Sequence, residues 1–507
     1  MKEPCEKGVA LHLGLESCAN LPQGVCEALT GYDSLNRVSA IRHLQCEDTP
    51  AYHREAYTYN AASMRTRIDV EKASGGSMLM PDSHKLYKYD ALLRLTEEHK
   101  RRAGDNVSLY RYAYNYDAAG NRTQLVNFTG ATTQTTTYVY NNGNQLTNSQ
   151  GPGLDDDILY GYDTNGNMIS ALDQGPYTGK HYNHNRENRL TGVEYDDGKD
   201  GLNPLATYTY DALGRRIMRT DPQGNKLRYW YDGLGILLTK EKLSGASAWR
   251  TKQVYTLKQA ALGHIISERT NTAWNAQGAA TAWTDKWFHF DLLGNTTGEL
   301  NAYGSVITYI DMEAFGTVLS GGQNGYRLTT KGYDPDAGLY YFNARWYNNI
   351  VCLLIEQDPY ASEHPYNLAG QQPTELVDPA GLYKVDPITC PGESGRDKIP
   401  TGVSCVTYNT ITDPKMKSCV DKRLRDDTTL ITCEKNRTCA TDPFCKMHSS
   451  PKGTNICPNG LSKCGDSEVC KLMVHEMAHK CGWPADHSTY KGKQIPGEDG
   501  WFNCEGK

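Results

Sequence analysis

Phenylalanine is scarce in this 507-residue sequence, with 7 residues against 34 tyrosines. The mean hydropathy of −0.63 is polar for a globular chain, and Tyr-rich sheets read that way because each ring carries a hydroxyl. No apolar run reaches the roughly 18 residues a membrane helix needs, so no membrane span is expected. There is no basic excess either. The net charge of −6 argues against nucleic acid as a general partner, because phosphate binding needs a concentrated basic surface. Met1-Lys2-Glu3-Pro4-Cys5 lacks the charged-then-apolar pattern of a signal peptide, so export is expected to rely on another machine or an upstream segment. Cysteine is sparse up to Leu382, with 5 of the 16, and dense beyond it, with 11 in the last 125 residues. That tail has no Cys-x-x-Cys pair, which weighs against a zinc–thiolate cluster and favours disulfides, with one thiol left over from an odd count.

What is present is repetition. Tyr116-Asp117-Ala118-Ala119-Gly120-Asn121-Arg122 returns as Tyr162-Asp163-Thr164-Asn165-Gly166-Asn167 and as Tyr210-Asp211-Ala212-Leu213-Gly214-Arg215-Arg216. Weaker copies are Tyr140-Asn141, Tyr182-Asn183 and Tyr231-Asp232, and the acid or amide recurs every 20 to 28 residues. Such a period marks stacked supersecondary units. Within a unit, Tyr110-Arg111-Tyr112-Ala113-Tyr114-Asn115-Tyr116 alternates as a strand does, and Asp-x-x-Gly turns the chain. The expected fold is mainly β: hairpin after hairpin in a long antiparallel sheet that must coil or close to hide its edges.

One long segment is more specific. It runs Tyr326-Arg327-Leu328-Thr329-Thr330-Lys331-Gly332-Tyr333-Asp334-Pro335-Asp336-Ala337-Gly338-Leu339-Tyr340-Tyr341 and continues Phe342-Asn343-Ala344-Arg345-Trp346-Tyr347. It closes with Asp358-Pro359, Pro365-Tyr366-Asn367 and Asp378-Pro379-Ala380-Gly381-Leu382. With the repeats, it resembles the Rhs/YD-repeat family, which includes Rhs proteins of bacterial antagonism and the C component of insecticidal Tc toxins. The resemblance implies a hollow antiparallel β-shell enclosing a variable C-terminal toxin. The expected divisions are 1–84, poorly defined, with partial repeats as one reading; 85–310, the YD repeats; 311–382, the core-associated segment; and 383–507, a small cysteine-rich α+β domain.

The resemblance also implies aspartyl self-cleavage. Asp358 and Asp378 stand where the family's catalytic pair stands, with the cut after Leu382. Two neighbouring carboxylates can share a proton, one acting as base and the other as acid. The bland reading is that Asp-Pro only forms turns. The sequence departs from the family before Asp358: where Asp-Pro and Gly-Arg-Phe are usual it has Asn348-Asn349 and Cys352-Leu353-Leu354.

The tail holds His475-Glu476-Met477-Ala478-His479. Asp466 offers an N-cap and Gly482 a stop, so a helix is expected between them. His475 and His479 then share a face and can hold one Zn2+, while Glu476 is placed as general base. The bland alternative is two solvated histidines. The continuation resembles the start of a metzincin site, but that family's third ligand would fall on Ala485. His487 is the best third ligand, with Asp486, Glu498 and Asp499 as rivals and Tyr490 as a weaker oxyanion candidate. The tail is expected to be zincin-like.

Together these features point to an exported polymorphic toxin. Its shell would enclose a zinc peptidase or amidase acting on a peptide or amide substrate in an oxidising compartment, such as a target periplasm or the extracellular space. An immunity protein and secretion-machinery partners are implied by the resemblance. One alternative is a structural or adhesive YD-repeat protein with a disulfide-rich binding tail. Another is a nuclease toxin, which the tail's 18 Lys and Arg against 16 Asp and Glu disfavour.

Overall fold

The computed structural model describes residues 27–381, apart from 36, 45–50, 75–77, 131, 154–156, 176, 200, 258–264, 360–363 and 379, and three strands in the tail. The chain divides into two compact units. The first comprises residues 1–258, 263–357 and 366–375, and the second 259–262, 358–365 and 376–507.

The first unit is dominated by a 23-stranded sheet running from Glu27–Tyr32 to Val306–Tyr309. Each strand pairs antiparallel with the one before and after it in sequence, as between Ser108–Tyr116 and Arg122–Thr129. The strands from Glu27 to Tyr89, in the stretch whose sequence shows no clear repeat, belong to this same meander.

One turn design recurs. The amide of Asp117 donates to the carbonyl of Asn121 at 2.9 Å, and the Asn121 amide donates back to the Asp117 carboxylate at 2.8 Å. Asp163 with Asn167 and Asp211 with Arg215 repeat the exchange. The residue before the return strand takes a left-handed φ, +82° at Gly166 and +76° at Gly214. This is the three-residue hairpin loop with its bulge, and glycine adopts that φ without a Cβ penalty.

Tyrosine does what phenylalanine cannot. The Tyr116 hydroxyl donates to the Leu95 carbonyl at 2.7 Å, Tyr210 to Leu190 at 2.6 Å and Tyr59 to Val38 at 2.7 Å. Each bond ties a repeat to the first strand residue of the previous one. That acceptor position points inward, and Val38, Leu95, Leu146, Met168 and Leu190 are fully buried there.

The segment after the meander folds into a five-stranded antiparallel sheet of Gly325–Tyr326, Gly332–Asp334, Leu339–Tyr341, Trp346–Asn348 and Leu353–Leu354. It packs on the middle of the meander. Leu339, Tyr341, Trp346 and Ile355 join Met168, Tyr182, Leu190, Val193 and Tyr208 in one cluster. Val351, Leu353 and Tyr366 join Tyr138 and Leu146 in a second.

Strands from the two ends of the meander also meet, through polar groups. The His43 and His289 rings stack with centroids 4.7 Å apart, and His43 donates to the Phe290 carbonyl at 3.1 Å. Just past the meander, Asp311 pairs with Lys100 at 2.7 Å and the Ala314 amide donates to Glu98 at 2.8 Å.

In the second unit the tail contributes a three-stranded sheet, with Gly453–Ile456 parallel to Leu430–Cys433 and antiparallel to Met447–Ser450. The expected helix from 466 to 481 lies outside the described residues. No helix among the described residues is long and apolar enough to cross a membrane.

Candidate functional site: the junction and a buried arginine clasp

Both acids of the expected cleavage pair belong to the second unit. Asp378 is buried, and its carboxylate accepts the Gly381 amide at 2.7 Å and the Ala380 amide at 3.3 Å. A carboxylate that caps two successive amides fixes the backbone leading to Leu382. Asp358 is half-buried, and its amide donates to the Pro365 carbonyl at 3.0 Å, closing the loop between them. Leu382 and the whole set His475, Glu476, His479 and His487, with Asp486, Tyr490, Glu498 and Asp499, lie outside the described residues. So do all tail cysteines except Cys433. Among the described residues, no group of three or more His, Cys, Asp or Glu is arranged to hold a metal ion.

Within the first unit the segment before the junction is held by three buried arginines. Arg65, Arg122 and Arg216 occupy the inward position just after a turn, where other repeats place Val38 or Leu95. Arg122 donates to the Ile350 carbonyl and the Tyr138 hydroxyl, each at 3.0 Å, and to the Cys352 sulfur at 2.7 Å. Arg216 lies 3.5 Å from Asp334, among the rings of Tyr208, Tyr229, Tyr341 and Trp346. Arg65 lies 3.5 Å from Glu375, which also accepts the Arg65 amide at 2.8 Å and the Tyr89 hydroxyl at 3.1 Å. Three repeats thus reach three successive stretches of the core-associated segment. In the sequence Arg122 and Arg216 stand only as the last residues of two repeats. Their place five residues after the turn's Asp was the available signal.

Cys352 has φ +60°, which explains why a glycine suits that position in the resembling family. Burial above all pushes its thiol up to about 12, so Arg122 faces a neutral sulfur. Nearby, two pairs of acids crowd one another. Burial and then Glu55 push Asp291 up to about 6, while Glu55, despite burial, is held down to about 2 by His53 and Tyr57. Burial likewise pushes Glu98 up to about 7, with Glu313 adding to it. These groups stand beside a cavity of about 70 Å3 lined by Glu55, Arg65, Lys85, Asp291, Asp311 and Glu313.

The teneurin YD-shell family profile matches residues 76–376. The chain belongs to the teneurin YD-shell family. The tRNA3(Ser)-specific nuclease WapA of Bacillus spizizenii is 29% identical over 283 residues, covering 53% of this chain and 11% of that protein. The tRNA nuclease WapA of Bacillus subtilis is 28% identical over the same shares. The double-stranded DNA deaminase toxin A of Burkholderia cenocepacia is 25% identical over 45% of this chain and 17% of its own length. This YD-shell chain therefore spans only about a tenth to a sixth of these curated relatives. Among solved structures, the TcdB2–TccC3–Cdc42 complex is 16% identical and covers 70% of this chain and 22% of that one, at a TM-score of 0.32. The Tc holotoxin pore of Photorhabdus luminescens, with 16% identity, 70% and 21% coverage and the same TM-score, is a further neighbour.

Proposed function

We propose that this YD-shell protein is an exported toxin whose residues up to Leu382 carry, and by self-cleavage release, the enzymatic tail 383–507. The observation that carries this reading is the change of character within a few residues. The family match ends at 376, the buried Asp378 carboxylate caps the amides of Ala380 and Gly381, and the cysteine-rich tail follows. The relatives' names support it in kind, since similar segments occur in proteins named as nucleases and as a deaminase toxin. Intact-mass measurement of the purified chain should find a fragment beginning at Tyr383. Asp378→Asn should leave the chain whole. Uncut wild type would remove the self-cleavage step.

For the tail we favour zinc-dependent hydrolysis of a peptide or other amide. His475 and His479, with His487 third, would hold the ion, which supplies Lewis acidity, and Glu476 would accept the proton from water. An oxidising site of action, an immunity protein and a secretion machine belong to the same reading. The names of the WapA relatives favour a second one, in which the tail cuts nucleic acid. The full chain should contain one zinc per molecule and lose its toxicity in Glu476→Gln. Toxicity that survives Glu476→Gln and degrades RNA would establish the nuclease instead.

A further inference from the structure

Five of the eight tryptophans, Trp230, Trp249, Trp274, Trp283 and Trp287, fall between residues 226 and 290. That block carries nine Lys and Arg against four Asp and Glu, a net +5 that leaves −11 for the rest of the chain. Positive charge is thus gathered on five neighbouring strands, Lys226–Asp232 through Ala280–Phe290.

The register puts Arg228, Trp230, Lys240, Arg269 and Trp283 on the face opposite the core, whereas Arg250, opposite Glu241, falls in the core-side row of Leu227. Trp230 lies opposite Leu238, Leu238 opposite Val254, Val254 opposite Arg269, and Arg269 opposite Asp285. Arg228 lies opposite Lys240 in the next row. The other face holds Tyr229, Ile236, Tyr255 and Phe288, all buried.

Each of four rings carries a cation. Arg228 sits 4.5 Å from the Trp249 centroid, Lys240 5.5 Å from Trp230, Arg250 3.8 Å from Trp274 and Arg269 5.0 Å from Trp283. A stacked guanidinium is held flat and keeps its outward donors pre-oriented. Arg250 and Arg269 are also paired to Glu241 and Asp285, whereas Arg228 and Lys240 have no acidic partner among the described ion pairs. Apolar groups lie exposed between the cations: Trp283 at 49%, Leu237 at 42% and Val254 at 40%.

We propose that this face docks on a membrane surface rich in anionic phospholipid. Cations, indole rings and exposed aliphatics together match the interfacial zone of a bilayer, where phosphates lie above the first acyl carbons. A nucleic acid fits less well, because a base stacks on a ring face and four of these rings already carry a cation. Nor does a nucleic acid use Leu237 or Val254.

The test is co-sedimentation of the full chain with equimolar phosphatidylglycerol–phosphatidylcholine vesicles. Binding to these vesicles, its loss in high salt and no binding to pure phosphatidylcholine are expected. Arg228→Gln with Lys240→Gln should weaken binding roughly 30-fold, at about fivefold per basic residue, while the urea midpoint is unchanged. Should that double variant unfold, brominated lipid should quench tryptophan emission of the native chain and quench Trp283→Phe less. No vesicle binding, equal binding by the double variant, or binding to an oligonucleotide or a sulfated polysaccharide alone would overturn the proposal.

Discussion

Arg215 and Arg216 are neighbours with opposite fates. Arg215 pairs with Asp211 at the rim of the turn, while Arg216 is buried among aromatic rings. In a strand, successive side chains take opposite faces, so a single step of register decides between solvent and core. The buried arginines should not be equivalent when removed. Arg65→Met strands the buried Glu375 carboxylate and should cost about 3–5 kcal/mol in urea unfolding. Glu375→Gln added to it should recover part of that loss. Arg122→Met leaves a neutral sulfur, a hydroxyl and a carbonyl, and should cost less, about 1–3 kcal/mol. At Cys352 both Gly and Ala delete the sulfur, but only Ala keeps the disfavoured φ. Cys352→Gly should therefore be the more stable by about 1 kcal/mol.

At the scale of the element, the hairpin turn was legible where glycine marked it, as in Asp163-Thr164-Asn165-Gly166-Asn167. It was not legible in Asn60-Ala61-Ala62-Ser63-Met64, where Ser63 takes the left-handed φ of +62° and no glycine announces it. For that reason the strands before residue 85 read at most as partial repeats. The identity of the turn residue should show in stability. Gly166→Ala would drive a Cβ into the Gln357 side-chain oxygen and to 2.8 Å from the Tyr366 hydroxyl, whereas at Gly224 the nearest atom is the Ser244 hydroxyl at 3.3 Å. Both changes strain φ, so both should destabilise, and Gly166→Ala should lower the urea midpoint further. Tyr116→Phe and Tyr210→Phe should each cost about 1–2 kcal/mol by leaving a carbonyl without its donor.

The whole first unit carries opposed titrations. Burial holds His43 down to about 3 and His289 well below its usual value. Below about pH 6.5 the unfolded chain takes up protons that these rings refuse, so stability is lost as pH falls, by about 1.4 kcal/mol per ring per unit. Glu98 and Asp291, raised to about 7 and about 6, do the reverse. They bind protons while the unfolded acids are still ionised, so stability is gained down to about pH 4. The two trends oppose one another between pH 7 and 5, and the urea midpoint should change little there. Below about pH 4.5 it should fall, as Glu55 and Asp311, both held below their usual range by their partners, lose the ionised form. Glu98→Gln removes one gain and should give a midpoint that already declines between pH 6.5 and 5. A wild-type midpoint that fell steeply over that interval would contradict this balance. The rise in cysteine density after Leu382 was plain in composition. The pairing of acids across the meander was not, because Glu55 and Asp291 are 236 positions apart in sequence.

The arginine clasp sets an order of events during synthesis. Each hairpin can close as it leaves the ribosome, since its partners are only some 20 residues away. The three guanidinium groups must wait. Arg65 meets Glu375 only after 310 further residues, and Arg122 meets Cys352 only after 230. Until then Arg65 lacks its carboxylate, and Arg122 has the nearby Tyr138 hydroxyl but neither the Cys352 sulfur nor the Ile350 carbonyl. Completion of the first unit therefore waits for the emergence of residues 350 to 375, the stretch that supplies those partners.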